Sequence, residues 1–172
     1  RGIDKTYWGD STQTNTAWHR EIYSVFPGAK YLFMVRDGRD VVSAYKKGGQ
    51  ARFGLLADPV RAAIHWNRSI EAWHWLSRKV NVGLISYENL ITNTTDQLKY
   101  VCDFLNIKYE QEMLNFFSAV PDLELYRQAH HVNLHKPVSD SSIGQWKSIL
   151  TAEEISRIEP LIRNNLRRFQ YE

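Results

Sequence analysis

An apolar run that ends in an arginine and a glycine-containing turn constrains the fold of this chain more than any other segment. Residues 30–35 read KYLFMV, which is the length of a strand. Because the run lacks the alternation of a strand with one solvated face, it predicts a central strand of a parallel sheet, covered on both faces. The sequence Arg36-Asp-Gly-Arg-Asp follows, and a helical pattern runs from 39 to 47. Strand, turn and helix in this order predict an α/β chain with parallel pairing.

The rest of the chain adds a second strand and further helices. The strand is predicted over 81–86, and Gly48-Gly49 is predicted to end the first helix in a loop that reaches residue 58. Trp66 and Trp73 recur with apolar neighbours at three- and four-residue steps, which predicts core packing. The other predicted helices cover 16–26, 58–79, 94–104, 110–119 and the segment from Thr151 onward.

Three of these helices carry start signals in the sequence. Asp58 stands directly before a proline, a combination typical of the N-cap and first helical position. The spacing of Thr94 and Gln97, and that of Thr151 and Glu154, predicts a capping box at the start of each helix.

Length and composition fit a single domain over residues 1–172. Hydrophobic residues make up 43% and charged residues 24%, a balance typical of a folded core rather than of a disordered chain. The formal net charge of +3 is too small to favour nucleic acid as the main partner. No run approaches the length of about 18–20 apolar residues that a membrane span needs. Because two strands are few for a stable doubly wound sheet, we expect a further strand upstream of Arg1.

The turn after the first strand is a candidate anion site. Ligands of open parallel sheets bind beyond the carboxyl ends of the strands, and a helix N-terminus offers free N–H groups to a phosphate. Arg36 adds a guanidinium fork and Ser43 a hydroxyl donor from the helix. In the alternative interpretation the turn is a surface feature whose aspartates and arginines pair with each other. Asp37 and Asp40 would oppose an anion unless Arg39 neutralises them.

The segment from Val35 to Ser43, VRDGRDVVS, resembles the 3′-phosphate-binding motif of sulfotransferases that use 3′-phosphoadenosine-5′-phosphosulfate. The resemblance implies that Arg36 and Ser43 hold the 3′-phosphate of this cofactor. The family's serine usually stands one place later, where this chain has Ala44. Three further segments are similar to the same family, and they occur in the family's order. They are Trp8–Gln13, Ser86–Leu90 and Lys136–Lys147.

Each of these segments implies a role. The first is similar to a Trp-Gly-Asp/Glu-Lys-Thr-Pro motif of many bacterial members, with Ser11 in place of the lysine thought to assist sulfuryl transfer and Gln13 in place of the proline. In the second, Tyr87 corresponds to a tyrosine that contacts adenine. The third resembles a loop that folds over the nucleotide and ends in Gly-x-Trp. The nucleotide-binding residues that it implies are Ser139, Ser141, Ser142, Gly144, Trp146 and Lys147.

The fold implied is the parallel-sheet, P-loop-like sulfotransferase fold, here without its N-terminal strand and 5′-phosphosulfate loop. The function implied is transfer of a sulfuryl group to an acceptor hydroxyl or amine, with adenosine 3′,5′-bisphosphate as product and no metal. The acceptor stays open among carbohydrate, peptide, lipid and small alcohol. Asp10, His19 and His65 are nominal bases, but each fits a structural role better and none is assigned.

Two other functions stay open. A P-loop nucleotide kinase shares the α/β layout and would need an upstream Gly-Lys-Ser/Thr loop. A non-catalytic nucleotide-binding or scaffold domain is compatible with Ser11, Gln13 and the shifted serine. The spacing of His130, His131 and His135 fits no zinc site, so we expect a solvated loop there. The oligomeric state is open, and so is the compartment, with bacterial cytoplasm slightly favoured over the Golgi lumen.

Overall fold

The chain alternates helices with two strands. The computed structural model describes residues 7–118 and 139–172, and all structural statements refer to these residues. The strands are β1 (Tyr31–Val35) and β2 (Val82–Ser86). The helices are α1 (His19–Val25), α2 (Gly38–Phe53), α3 (Pro59–Ser77), α4 (Tyr87–Thr92), α5 (Thr94–Leu105), α6 (Trp146–Ile149) and α7 (Ala152–Arg168). Short 3-10 helices cover Gln13–Thr16, Gly54–Ala57, Gln111–Ser118 and Asp140–Ser142.

The two strands pair in parallel, as the sequence predicts. Tyr31 lies opposite Val82 at one end of the ladder, and Val35 lies opposite Ser86 at the other. The helices α2 and α3 form the crossover between them. Because both strands end at the same edge of the sheet, the residues that follow them are neighbours in space. This register brings the turn at Arg36 next to Tyr87.

The expectation that β1 is covered on both faces is wrong for the described residues. Val35 is buried on one face, whereas Leu32 and Met34 on the other are 39% and 50% exposed. The helix α5 packs on the β2 side of that second face, where Phe104 lies against Gly83. An apolar run therefore identified the strand correctly but overstated its cover.

The core lies between the covered face of the sheet and the helices α2, α3 and α7. Trp66 is 5% exposed and Ile70 is 2% exposed, and Trp73 packs against the same cluster. This confirms the core packing predicted for α3. Burial of one such apolar side chain contributes about 1.5–3 kcal/mol, so the three-helix contact is a main source of stability. None of the helices seen in the described ranges has the length and apolar character to cross a membrane.

All three of these helices begin where the sequence predicts, and two of the three predicted caps are confirmed. The Asp58 side chain accepts a hydrogen bond from a backbone N–H at the start of α3. Thr151 and Glu154 form a reciprocal capping box at α7. The box predicted at Thr94 is wrong, because Thr94 is already the first residue of α5 and no side chain caps that helix. The N-cap position is taken by Asn93, whose side chain donates to Thr92 instead of accepting from the start of α5.

The loop predicted from Gly48-Gly49 to residue 58 is also wrong. Helical hydrogen bonding resumes after a kink at Gly49, whose φ is 73°, and α2 continues to Phe53. The kink uses the left-handed conformation that glycine adopts without a Cβ penalty. The sequence placed the break correctly and missed that the break is only one residue long.

Candidate functional site

Arg36 lies at the carboxyl edge of the sheet with part of its guanidinium unused. The Cζ atom is 4.6 Å from the centroid of the Tyr87 ring, a cation–π contact. One terminal nitrogen donates to the carbonyl oxygen of Ser142. The Nε atom is buried and has no hydrogen-bond partner within the described part of the chain. A buried donor without an acceptor costs about 1–3 kcal/mol, which an anionic oxygen beside it would offset.

The carboxylate of Asp37 is neutralised by Arg39. The Arg39 guanidinium donates to both carboxylate oxygens, with the closest pair of atoms 2.7 Å apart. The same carboxylate caps the start of α2 by accepting the backbone N–H of Arg39 at 2.8 Å. The hydrogen bond with Asp37 raises the pKa of Arg39, so the guanidinium stays charged. The pairing expected in the alternative interpretation therefore exists for these two residues, although both side chains are largely buried.

Asp40 turns into the protein instead of toward Arg36. It is 1% exposed, and its two oxygens accept the backbone N–H groups of Gly144 at 2.7 Å and Trp146 at 2.9 Å. With Asp37 paired to a cation and Asp40 bonded to backbone donors, both negative charges of the turn are compensated. An anion beside Arg36 would meet little repulsion from either.

Ser43 is directed into the core of the protein. It is 1% exposed, and its hydroxyl donates to the carbonyl oxygen of Asp40 in its own helix at 2.9 Å. Ala44, where the family has its serine, lies on the exposed side of α2. Successive helix positions differ in direction by about 100°, which accounts for the contrast. The phosphate contact implied for Ser43 stays a prediction.

The second strand ends in a closed hydrogen-bond network centred on Glu88. One carboxylate oxygen accepts the backbone N–H of Asp37 at 2.9 Å. The other accepts the hydroxyls of Ser86 at 2.9 Å and Tyr171 at 2.7 Å. Burial, followed by the bond to Glu88, raises the pKa of Tyr171 well above its ordinary value, so this phenol stays protonated. Glu88 thereby joins the two strand ends and the C-terminal residues.

The C-terminal segment, described from Ser139 onward, covers this edge. The hydroxyl of Ser142 lies 2.7 Å from that of Tyr87, and its carbonyl oxygen accepts the hydrogen bond from Arg36. Ser142 therefore contacts both of these residues. Gly144 has a φ of 74°, a left-handed turn that favours glycine. The ring of Trp146 lies 4.3 Å from the Arg39 guanidinium carbon.

The structure thus divides the predicted site residues other than Ser43 into two groups. Around the turn it brings together Arg36, Tyr87, Ser142, Gly144 and Trp146. The side chains of Ser139, Ser141 and Lys147 are exposed. Ser139 accepts the backbone N–H of Ser141, and Lys147 lies 5.8 Å from the Trp146 ring centre.

Four residues of the site were missed or misjudged at the level of sequence. Asp40 and Glu88 stand inside recognised motifs, which is a signal that they matter but not of what they contact. Trp66, predicted only as core, also donates its indole N–H to the Arg36 carbonyl oxygen at 3.1 Å. Nothing in the sequence near Tyr171 indicates that its hydroxyl reaches Glu88.

A cleft of about 190 Å³ opens beside Arg36, between β1, α2 and α3. His65, Ser69 and Tyr45 provide polar groups in its wall. Burial, and secondarily the charge of Arg68, lowers the pKa of His65, so its imidazole is neutral at neutral pH. Asp10 and His19, the other nominal bases, bond to neighbouring residues in their own segment.

Residues 7–118 and 139–172 contain no group of three or more His, Cys, Asp or Glu side chains placed to hold a metal ion. His130, His131 and His135, which we expected to form a solvated loop, lie outside the described residues, as does Lys136.

Comparison with known proteins connects this geometry to one family. The sulfotransferase family matches residues 2–111, which include the first three motif segments and not the C-terminal one. Protein-tyrosine sulfotransferase of Drosophila melanogaster is 27% identical over 135 residues, which cover 73% of this chain and 27% of the relative. Sulfotransferase 2A1 of Rattus norvegicus is 30% identical over 141 residues, covering 75% of this chain and 47% of the relative.

A third relative, protein-tyrosine sulfotransferase A of Caenorhabditis elegans, is 25% identical over 148 residues, which cover 81% of this chain and 39% of the relative. The chain therefore spans less than half of the length of each of these proteins. The match nevertheless covers well over half of the chain itself, with the Arg36 turn and the Tyr87 segment both inside it. The chain belongs to the sulfotransferase family.

Proposed function

We propose that this chain forms the nucleotide-binding part of a sulfotransferase that uses 3′-phosphoadenosine-5′-phosphosulfate. The observation that carries the proposal is the buried Nε of Arg36 at the carboxyl edge of the sheet, for which residues 7–118 and 139–172 provide no hydrogen-bond partner. Parallel sheets bind ligands at this edge, and a guanidinium is well suited to a phosphate. The compensated charges of Asp37 and Asp40 remove the main electrostatic objection to an anion there.

The residues of this chain would bind and orient the nucleotide. Arg36 would hold the 3′-phosphate through Nε, and Tyr87 would offer its ring to the adenine. Ser142 would supply a hydroxyl and, with Gly144, would close the site over the nucleotide. Ser43 would have to turn its hydroxyl away from the Asp40 carbonyl before it reached a phosphate.

Three other residues predicted to contact the nucleotide are exposed, and they belong to the C-terminal segment that covers this edge. Ser139, Ser141 and Lys147 would add donors and positive charge once a nucleotide is bound, and Trp146 would keep its segment in place.

When bound, the cofactor supplies an activated sulfuryl group to an acceptor hydroxyl or amine and leaves as adenosine 3′,5′-bisphosphate. The role of Arg36 is to fix the nucleotide by its ribose phosphate, away from the bond that breaks. Such positioning lowers the barrier because the acceptor then meets the sulfur in a fixed geometry. Among acceptors, a tyrosyl peptide is the first to test, since two of the relatives are named for protein tyrosine.

Calorimetric titration with adenosine 3′,5′-bisphosphate tests the proposal, with adenosine 5′-monophosphate as the ligand that lacks the 3′-phosphate. We expect the bisphosphate to bind at least about ten-fold more tightly, because a hydrogen bond to a charged group contributes about 1.5–3 kcal/mol. Arg36→Ala is expected to abolish this preference. Arg163→Ala is the matched control, since it removes a guanidinium from an exposed pair with Glu159.

Two outcomes would contradict the proposal. One is a folded protein that binds no bisphosphate at millimolar concentration. The other is a preference for ATP with Mg²⁺, which would favour a nucleotide kinase. Tight binding of the bisphosphate without sulfuryl transfer from a labelled donor to any acceptor would restrict the function to nucleotide binding.

A further inference from the structure

The side chain of Asp40 binds two backbone N–H groups that are distant from it in the sequence. Its carboxylate accepts the N–H of Gly144 at one oxygen and the N–H of Trp146 at the other, across separations of 104 and 106 residues. The side chain is 1% exposed, so these bonds form away from solvent. Hydrogen bonds that involve an ionised partner are roughly twice as strong as neutral ones. The two bonds therefore form a firm anchor between α2 and the C-terminal segment.

The anchored segment continues directly into the nucleotide edge. We name residues 142–146 the strap. At one end Ser142 contacts Arg36 through its carbonyl oxygen and Tyr87 through its hydroxyl. At the other end the two N–H groups bond to Asp40. Arg36 and Asp40 are four residues apart, so the start of one helix and the turn before it hold both ends of the strap.

We propose that Asp40 is a positioning residue for nucleotide binding: it clamps the strap so that Ser142 lies over Arg36 and Tyr87. The inference rests on the proposed function, which assigns Arg36 and Tyr87 to the nucleotide. Asp40 itself touches neither the guanidinium nor the Tyr87 ring in its described contacts, and its effect passes through the strap. Without the two bonds to Asp40, the strap samples positions away from Arg36 and Tyr87. The free energy needed to order the strap then opposes nucleotide binding.

The geometry distinguishes this role from simple packing. Trp146 is also held by its ring, which packs on the core and lies beside Arg39. If packing alone held the strap, loss of the Asp40 bonds would leave Gly144 and Ser142 in place. In our proposal these two residues loosen while the Trp146 ring stays packed against the core.

Asp40→Asn is the direct test, because the amide replaces one acceptor oxygen with a donor that faces a backbone N–H. We expect amide hydrogen exchange at Gly144 and Trp146 to accelerate at least ten-fold in the absence of nucleotide. We expect the dissociation constant for adenosine 3′,5′-bisphosphate to rise about ten-fold, with one site per chain retained. Asp58→Asn is the matched control, since that aspartate also accepts a backbone N–H but at the exposed start of α3. It should change neither measurement.

Gly144→Ala provides a second variant if the buried Asp40→Asn change prevents folding. An added Cβ at Gly144 meets no atom within 4 Å, so the substitution strains only the left-handed backbone at φ 74°. It should loosen the strap and weaken bisphosphate binding in the same direction, with the core intact.

The outcomes separate this inference from the proposed function. Failure of the wild-type chain to bind the bisphosphate would overturn the proposed function and, with it, the role of Asp40 in binding. Wild-type binding, together with unchanged exchange at the strap in Asp40→Asn, would show that Asp40 is not the clamp. Faster exchange with an unchanged dissociation constant would show that the clamp does not serve the nucleotide.

Discussion

The two strand–helix junctions at the carboxyl edge of the sheet each contain a charged side chain, but the two side chains differ in their hydrogen bonding. At the first, β1 is followed by Arg36, whose Nε is buried and has no partner among the residues that the structure describes. At the second, β2 gives way to Tyr87 and Glu88, and the carboxylate of Glu88 accepts three hydrogen bonds from three different segments. One junction has a buried donor without a partner among the described residues, and the other has a carboxylate with both oxygens hydrogen-bonded.

Because the two junctions differ in this way, we expect one to stabilise the fold and the other to serve binding. The carboxylate of Glu88 holds the two strand ends and the C-terminal residues together, because each of its three donors would be left unsatisfied if it moved. The guanidinium of Arg36 makes one hydrogen bond and one ring contact within the described part of the chain, so we expect it to contribute less to the folded state than Glu88. Stability and binding should therefore respond to different substitutions although the two junctions are adjacent.

Glu88→Ala should give the largest loss of stability. Each of its three donors would lose an acceptor, at about 1–3 kcal/mol per buried donor, so we expect the free energy of unfolding to fall by about 3 kcal/mol or more. Urea denaturation measures this directly. Glu159→Ala is the control, because that exposed carboxylate pairs with Arg163 on α7 and its removal should cost less than about 1 kcal/mol. A loss below about 1 kcal/mol for Glu88→Ala would mean that the hydrogen bonds of Glu88 are not a main source of stability at this edge.

Tyr171→Phe should have a smaller effect, which depends on pH. It removes one donor to Glu88 and should lower the free energy of unfolding by about 1 kcal/mol at neutral pH. The folded state raises the pKa of Tyr171 through burial and the bond to Glu88. The contribution of the phenol is therefore fully present below its unfolded pKa of about 10 and is lost as the pH rises above that value.

The check is the difference in stability between wild type and Tyr171→Phe, measured at pH 8 and at about pH 11. Other tyrosines and lysines titrate in both proteins and cancel in the difference. The difference should shrink at the higher pH. If it stayed constant, the hydroxyl would not be bonded to a carboxylate.

Local patterns in the sequence predict well the strands and helices that form the two junctions. An apolar run gave β1, and Asp58 and Thr151 marked the starts of α3 and α7. Arg36 and Tyr87 were identified from motifs that follow the strands, and parallel pairing then explains why they meet. These features depend on residues within a few positions of each other.

The parts that sequence could not predict are contacts across long separations. Tyr171 reaches Glu88 over 83 residues, and Asp40 reaches the strap over more than a hundred. From the sequence alone, Asp40 is an opposing charge in a candidate anion site, and only the structure shows which donors it meets. The inward turn of Ser43 has the same origin, since only the packing of α2 decides which side of the helix is buried.

Arg36→Ala should have the smallest effect on stability. The substitution removes the bond to Ser142 and the contact with the Tyr87 ring, which together contribute about 1–2 kcal/mol, but it also removes a buried donor that costs a similar amount. We expect the free energy of unfolding to change by less than about 0.5 kcal/mol in urea denaturation without nucleotide. With saturating adenosine 3′,5′-bisphosphate, wild type should gain stability by mass action and the variant should gain much less. A loss of about 2 kcal/mol without ligand would mean that Arg36 is as structural as Glu88, and the contrast between the two junctions would fail.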